Sequence, residues 1–218
     1  MTIRLYSFAR FVIFCSVFIV ALAASADIVY ENGPINGQVN SWMINFNSSI
    51  GDSFAVSGGP TTIAGMAFGA WLVPGDTFNS VEVTISSEPF GGQIFFDQQV
   101  PLTTSDCSAN RKGFLVCTET ALFQGPGLGL NNGTYYLELG NAMNGDPNDP
   151  VGWDENSGVG CSSQGCPSQG YDNGPGTIPS ESFTVLSGVA GTTPEPSSLV
   201  LFVTGFAGLV AAMRRRLG

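Results

Sequence analysis

Sixteen carboxylates and a single tryptophan-bearing polar stretch set the limits on what chemistry residues 27–188 can do. Histidine is absent from the whole chain. A Ser-His-Asp or Cys-His nucleophile is thereby excluded in its usual form. Glycoside hydrolysis needs only two carboxylates that converge on one bond. Asp154 and Glu155 are adjacent, so on an extended strand they point to opposite faces and do not converge. Glu82, Glu88 and Glu138 lie in or beside strand-like runs, where outward-facing glutamates are common. The glycine-rich segments lack the Lys-Ser/Thr of a phosphate loop, so nucleotide binding has no support.

Two gentler chemistries fit better. Asn144, Asp146, Asn148, Asp149, Asp154 and Glu155 form an oxygen-rich stretch, and hard oxygen ligands suit Ca²⁺. Asp146, Asn148 and Asp149 are the calcium candidates, although Pro147 and a missing glycine rule out an EF-hand loop. No other cofactor is implied. The second chemistry is stacking on sugar rings. Trp42, Trp71, Trp153, Tyr135, Tyr136 and Tyr171 supply rings, while Asn, Asp and Gln can take hydroxyls. Trp42 and Trp71 fall inside strand patterns and read as core. Trp153 sits in a polar stretch beside Asp154, Glu155 and Asn156, and these four are the candidate ligand contacts. The ring of Trp153 has to be covered either by ligand or by protein, and the sequence leaves both open.

The elements that must position these residues are short strands. Apolar-alternating runs recur between Gly, Pro, Asn and Asp, and no sustained helical period interrupts them. Ser80 to Ser86 turns Val81, Val83 and Ile85 inward; Thr134 to Leu139 does the same with Tyr135, Leu137 and Leu139. Ser41 to Phe46 alternates Trp42, Ile44 and Phe46, and Asp52 to Ser57 places Phe54 and Val56 on one face. Ile63 to Val73 and the run around Ile94 and Phe96 add further strands. The pattern is all-β, an antiparallel sandwich of jelly-roll type, in one domain over residues 27–188. Residues 141–179 read as a long polar loop.

Cys107, Cys117, Cys161 and Cys166 are four thiols in this domain. Their even number and local spacing suggest Cys107–Cys117 and Cys161–Cys166 disulfides. Asn110-Arg111-Lys112-Gly113 looks like the tip of a hairpin that sets the first pair opposite one another. A zinc site is the weaker rival, for want of the right spacing and of histidine.

The two ends are addresses rather than domain. Arg4 and Arg10 precede an apolar run from Phe11 to Leu22, and Ala24-Ser25-Ala26 fits small-x-small cleavage. Residues 1–26 thus read as a signal peptide cut by signal peptidase between Ala26 and Asp27. At the other end, residues 189–193 form a tether, followed by Pro194-Glu195-Pro196, an uncharged run from Ser197 to Met213, and Arg214-Arg215-Arg216. That run is at the short end of what spans a bilayer as a transmembrane helix, and the arginines would stay cytoplasmic. Between the two addresses, the charge is one-sided. All 17 acidic residues lie between residues 27 and 196, against only Arg111 and Lys112. Such a surface disfavours nucleic acid and anionic lipid.

The order of tripeptide, span and basic cluster over residues 194–218 resembles the PEP-CTERM sorting signal. That resemblance implies processing by an exosortase, a membrane transpeptidase-like protease, near the motif. A fuller likeness to PEP-CTERM proteins of environmental bacteria runs through Asn32-Gly33-Pro34-Ile35-Asn36-Gly37, Trp42-Met43-Ile44-Asn45, Pro74-Gly75-Asp76 and Trp153-Asp154-Glu155-Asn156-Ser157-Gly158. It brings no established activity and no catalytic residue. The expectation is a non-enzymatic protein, exported, membrane-anchored as an intermediate, then placed at the cell envelope surface or outside the cell. The resemblance further implies an association with exopolysaccharide or biofilm. A carbohydrate- or calcium-dependent binding module is the alternative class, and a glycoside hydrolase the third.

Overall fold

Alternating apolar residues flanked by turn formers give thirteen strands in the computed structural model, which describes residues 26–174 and 176–188. They are β1 Ile28–Glu31, β2 Ser41–Met43, β3 Ser49–Val56, β4 Thr61–Leu72, β5 Phe78–Glu88, β6 Gly91–Ala109 and β7 Leu115–Leu122. There follow β8 Leu128–Leu130, β9 Gly133–Asn144, β10 Gly152–Asp154, β11 Gly170–Asp172, β12 Gly176–Ile178 and β13 Phe183–Ser187. Neighbouring strands run β1-β13-β4-β7-β6-β5-β9-β3-β11-β12, with β8 and β10 also paired to β4 and β2 paired to β10. Every pairing is antiparallel.

The sheet curls because β6 serves two partners. Its first part, through Pro101, pairs with β5, and its second part, from Leu102, pairs with β7. The inner faces of the two halves then meet over one apolar core. Val81, Val83 and Ile85 of β5, Leu137 and Leu139 of β9 and Phe54 of β3 come from one half. Met66 and Phe68 of β4, Ala121 of β7 and Phe183 and Val185 of β13 come from the other. Rings join the halves: Tyr30 tilts against Phe54 with centroids 6.3 Å apart, and Phe96 stacks on Phe123 at 4.1 Å. Burying each such ring supplies much of the energy that orders the short strands.

Several sequence expectations are corrected here. Residues 141–179 are not one irregular loop, since β9 continues to Asn144 and β10, β11 and β12 follow. Each of these adds hydrogen bonds to an edge already present, which the apolar pattern of three residues is too short to announce. Phe46 does not continue the alternation of Trp42 and Ile44. It adopts φ 55° in a turn and is half exposed. Ser86, which alternation places on the face opposite Val81, Val83 and Ile85, is nonetheless fully buried, its hydroxyl donating to the Glu88 carbonyl at 2.7 Å.

No helix among the described residues is long and apolar enough to cross a membrane. The signal peptide through Ala24, the tether, Pro194-Glu195-Pro196, the span and Arg214 to Arg216 lie outside the described residues. Ala26 and Asp27, the expected cleavage pair, are exposed at the start of the described chain.

Candidate functional site

The period of two in β10 decides the fate of the tryptophan segment. Trp153 points into the core and Asp154 to the opposite side of the sheet. The ring of Trp153 is fully buried, edge-on to Phe183 at 5.7 Å and to Phe68 at 6.1 Å. Its indole N–H donates to the Ser182 carbonyl at 2.9 Å. Protein, not ligand, therefore covers Trp153, which decides between the two covers that the sequence left open.

Asp154 is also fully buried and gathers the layer outside β4. Trp71 Nε1 donates to its Oδ1 at 2.7 Å, while Asn36 N, Gly37 N and Ser182 Oγ donate to Oδ2 at 3.0, 3.1 and 3.2 Å. Glu155 and Asn156 are 8% and 9% exposed. Glu155 N donates to the Asn40 carbonyl at 2.9 Å, and Glu155 forms an isolated bridge with Glu181. Asn156 Nδ2 donates to the Asn32 carbonyl, and Asn156 N to the Ser180 carbonyl at 2.7 Å. The four candidate contacts thus clamp residues 32–40 and 180–182 onto the sheet. Neither surface cleft described below is lined by any of them.

Behind this clamp lies a polar knot that the sequence reading missed. Asp52 of β3 is fully buried and accepts from Ser53 N at 2.7 Å, Glu181 N at 2.6 Å, Ser180 Oγ at 3.0 Å and Ser168 Oγ. Asn32 Nδ2 adds bonds to Ser180 Oγ at 2.7 Å and to the Glu181 carbonyl at 2.6 Å. Burial outweighs these donors and pushes the Asp52 carboxyl up to about 6. Glu181 is fully buried with both carboxyl oxygens unpartnered. Burial first, then the neighbouring Asp52, Glu155 and Asp154 charges, holds it well above the usual carboxylate range. Glu119 on β7 is pushed up to about 7, by burial against a bond from Thr104 Oγ1 at 2.8 Å. The signal was present in the sequence. Asp52 shares strand parity with Ile50, Phe54 and Val56, and Glu119 shares it with Cys117 and Ala121.

The oxygen-rich stretch closes on itself. Asp146 Oδ1 accepts from Asn148 N and Nδ2, both at 2.9 Å, which keeps its carboxyl below the usual range. Asp146 N and Asn144 Nδ2 donate to Asp76, at 3.1 and 2.6 Å. The Asp149 carbonyl accepts from Asn45 Nδ2 and Asn144 Nδ2. Among the described residues no group of three or more Asp, Glu, His or Cys side chains is placed to hold a metal ion.

Disulfides join Cys107 to Cys117 and Cys161 to Cys166. The first closes a hairpin whose tip has Asn110 N bonded to the Phe114 carbonyl at 2.9 Å and Gly113 at φ 88°. The second fixes a loop whose Ser163 hydroxyl accepts from Glu31 N at 2.8 Å.

Among the clefts that open to the surface, two are lined by charged side chains. One, about 380 Å³, lies over β5 and β9 and is lined by Glu82, Thr84, Asp97, Glu138, Phe90 and Ile94 among others. Glu138 Oε1 is already engaged, accepting from Phe90 N at 2.6 Å and Ser86 Oγ at 3.1 Å, and burial raises its carboxyl. The other, about 490 Å³, lies between the 107–117 hairpin tip and residues 36–38.

Residues 192–216 match the PEP-CTERM protein-sorting motif. No curated protein and no solved structure matches the chain.

Proposed function

We propose, from the premise that a PEP-CTERM protein-sorting motif at residues 192–216 marks this chain as an exported substrate of an exosortase, that it serves as a non-catalytic protein of the cell surface or extracellular matrix. The motif implies a chain held in the membrane before processing. After processing, on our reading, the β domain is released to the envelope surface or beyond, in association with exopolysaccharide. The observation that carries the proposal is the motif itself, which follows directly on β13, the last strand of the sheet. A closed, acid-rich domain fits this role. Its buried carboxylates Asp52, Glu119 and Glu181 serve the interior, and Glu138 in the acidic cleft is tied to the backbone of Phe90. A jelly-roll-like sandwich is our reading of how the curled sheet closes, supported by β6, which both halves share.

Mass spectrometry of chain recovered from the surface and from membranes tests the sorting step. Intact chain should accumulate in membranes when the host exosortase is deleted, and surface-released chain should lack Arg214 to Gly218. Surface-released chain that retains those residues overturns it. A binding module is the second reading, favoured by the surface clefts over β5 and β9 and beside the 107–117 hairpin.

A further inference from the structure

Among the described residues, Arg111 and Lys112 are the only lysine or arginine side chains, and both line the same cleft. A domain this acidic offers an anion no other charged foothold. The cleft is also rich in neutral donors and acceptors, because Asn36, Gln38 and Asn110 share its walls.

The two walls are held in place by independent ties. On one side the Cys107–Cys117 disulfide closes the hairpin, and Asn110 Oδ1 accepts from Lys112 N at 2.9 Å and Phe114 N at 3.0 Å, which fixes the tip. On the other side Gly37, at φ 61°, lies so close to Val116 that a Cβ there would come within 2.4 Å of Val116 Cγ2. Only glycine lets residues 36–38 pack down on β7 at that point. Lys112 then ties the walls together. Its Nζ donates to the Val39 carbonyl at 3.0 Å and to Asn40 Oδ1 at 3.2 Å, and sits 5.2 Å from the Trp71 ring centroid.

Two donor groups are left over. The Arg111 guanidinium has no hydrogen-bond or ion-pair partner among the described residues, and the Asn110 Nδ2 is buried without one. A free guanidinium presents a planar fork that matches a carboxylate in two parallel bonds. Amide side chains around it suit hydroxyl groups. Carboxylate and hydroxyls together on a ring describe a uronic acid.

We propose that this cleft binds the carboxylate-bearing sugars of an acidic polysaccharide, with Arg111 taking the carboxylate, Lys112 adding charge while bracing the walls, and Asn36 and Gln38 taking hydroxyls. The proposal rests on the matrix reading above and names its ligand class.

The test is calorimetric titration of the full chain in neutral detergent with a uronic acid hexamer, a neutral glucose hexamer and inorganic phosphate. The uronic acid hexamer should bind saturably and the glucose hexamer should not. Arg111→Gln should weaken uronate binding about tenfold or more, in keeping with the loss of a charge-assisted hydrogen bond. Its melting temperature should stay unchanged, since Arg111 braces nothing. Gln38→Ala should weaken binding by a smaller factor. No uronate binding, equal binding of the glucose hexamer, displacement by equimolar phosphate, or unchanged binding by Arg111→Gln overturns the proposal. The matrix reading fails separately, when wild-type chain on cells does not co-fractionate with polysaccharide. If wild-type and Arg111→Gln chains are retained there equally, the cleft alone is refuted.

Discussion

Replacing Trp153 with alanine distinguishes a ring packed by protein from a ring kept for a ligand. A buried aromatic side chain removes about 150–250 Å² from water, worth about 4–6 kcal/mol at about 25 cal/mol per Å². Alanine keeps a small part of that, and measured Trp→Ala costs cluster at about 3–5 kcal/mol with the cavity included. Trp153 is fully buried between Phe68 and Phe183, so its site belongs at the upper end of that range. Loss of the indole bond to the Ser182 carbonyl adds about 1 kcal/mol. The expected total is about 4–6 kcal/mol, a large share of the roughly 5–15 kcal/mol that holds a domain folded. Urea unfolding of the oxidised protein, followed by far-ultraviolet circular dichroism, measures it. Trp153→Phe keeps most of the apolar volume and should lose only about 1–2 kcal/mol, mainly the hydrogen bond. A loss below about 1 kcal/mol for Trp153→Ala would refute the packing argument and return the ring to a solvent-facing role.

Two further outcomes follow from the interior. The Asp52 carboxyl is raised from 3.8 to about 6, so its contribution to stability is full below pH 3.8 and is lost as pH rises through about 6, a loss of about 3 kcal/mol. Glu119, raised from 4.5 to about 7, extends the decline toward neutrality, and Glu119→Gln should remove its share. Urea midpoints should therefore fall between pH 4 and pH 8, and a flat or rising profile would contradict the burial of these acids. Gly69→Ala would bring a Cβ within 2.6 Å of the Asp154 Cβ and 2.8 Å of Ile35 Cγ2, and should cost about 1–3 kcal/mol by thermal melting; an unchanged midpoint would show that the layer outside β4 is loose.

The parts of this architecture that were legible are those carried by long alternating runs. β5 and β9 follow Val81, Val83 and Ile85 and Tyr135, Leu137 and Leu139, because each run is long enough for its inner face to declare itself. The 107–117 hairpin was legible for a different reason, since a local disulfide and a four-residue tip constrain one another. What escaped were elements whose reason for existing is elsewhere in the chain. β10 is three residues that matter only because β4 and β2 offer edges to them. The cover of the Trp153 ring could not be read from its polar sequence neighbours, because Asp154, Glu155 and Asn156 are polar in order to hold residues 32–40 and 180–182 down. Asp52 and Glu119 were passed over, although their strand parity already placed them inside. The cleft at Arg111 and Lys112 needed the packing of residues 36–38 on Val116, which no local pattern announces.

The pairing of the first strand with the last also dictates when the domain is finished. β1 bonds to β13, and Asp27 and Ser187, 160 positions apart, exchange hydrogen bonds at 2.8 and 3.1 Å. In any chain that emerges amino end first, β1 has no paired strand until β13 arrives. Closing so long a loop is slow, and an unpaired edge strand is exposed to association in the meantime. The sorting motif at 192–216 lies just behind β13, so it emerges as that wait ends. A chain truncated before β13 would lack the sorting motif as well.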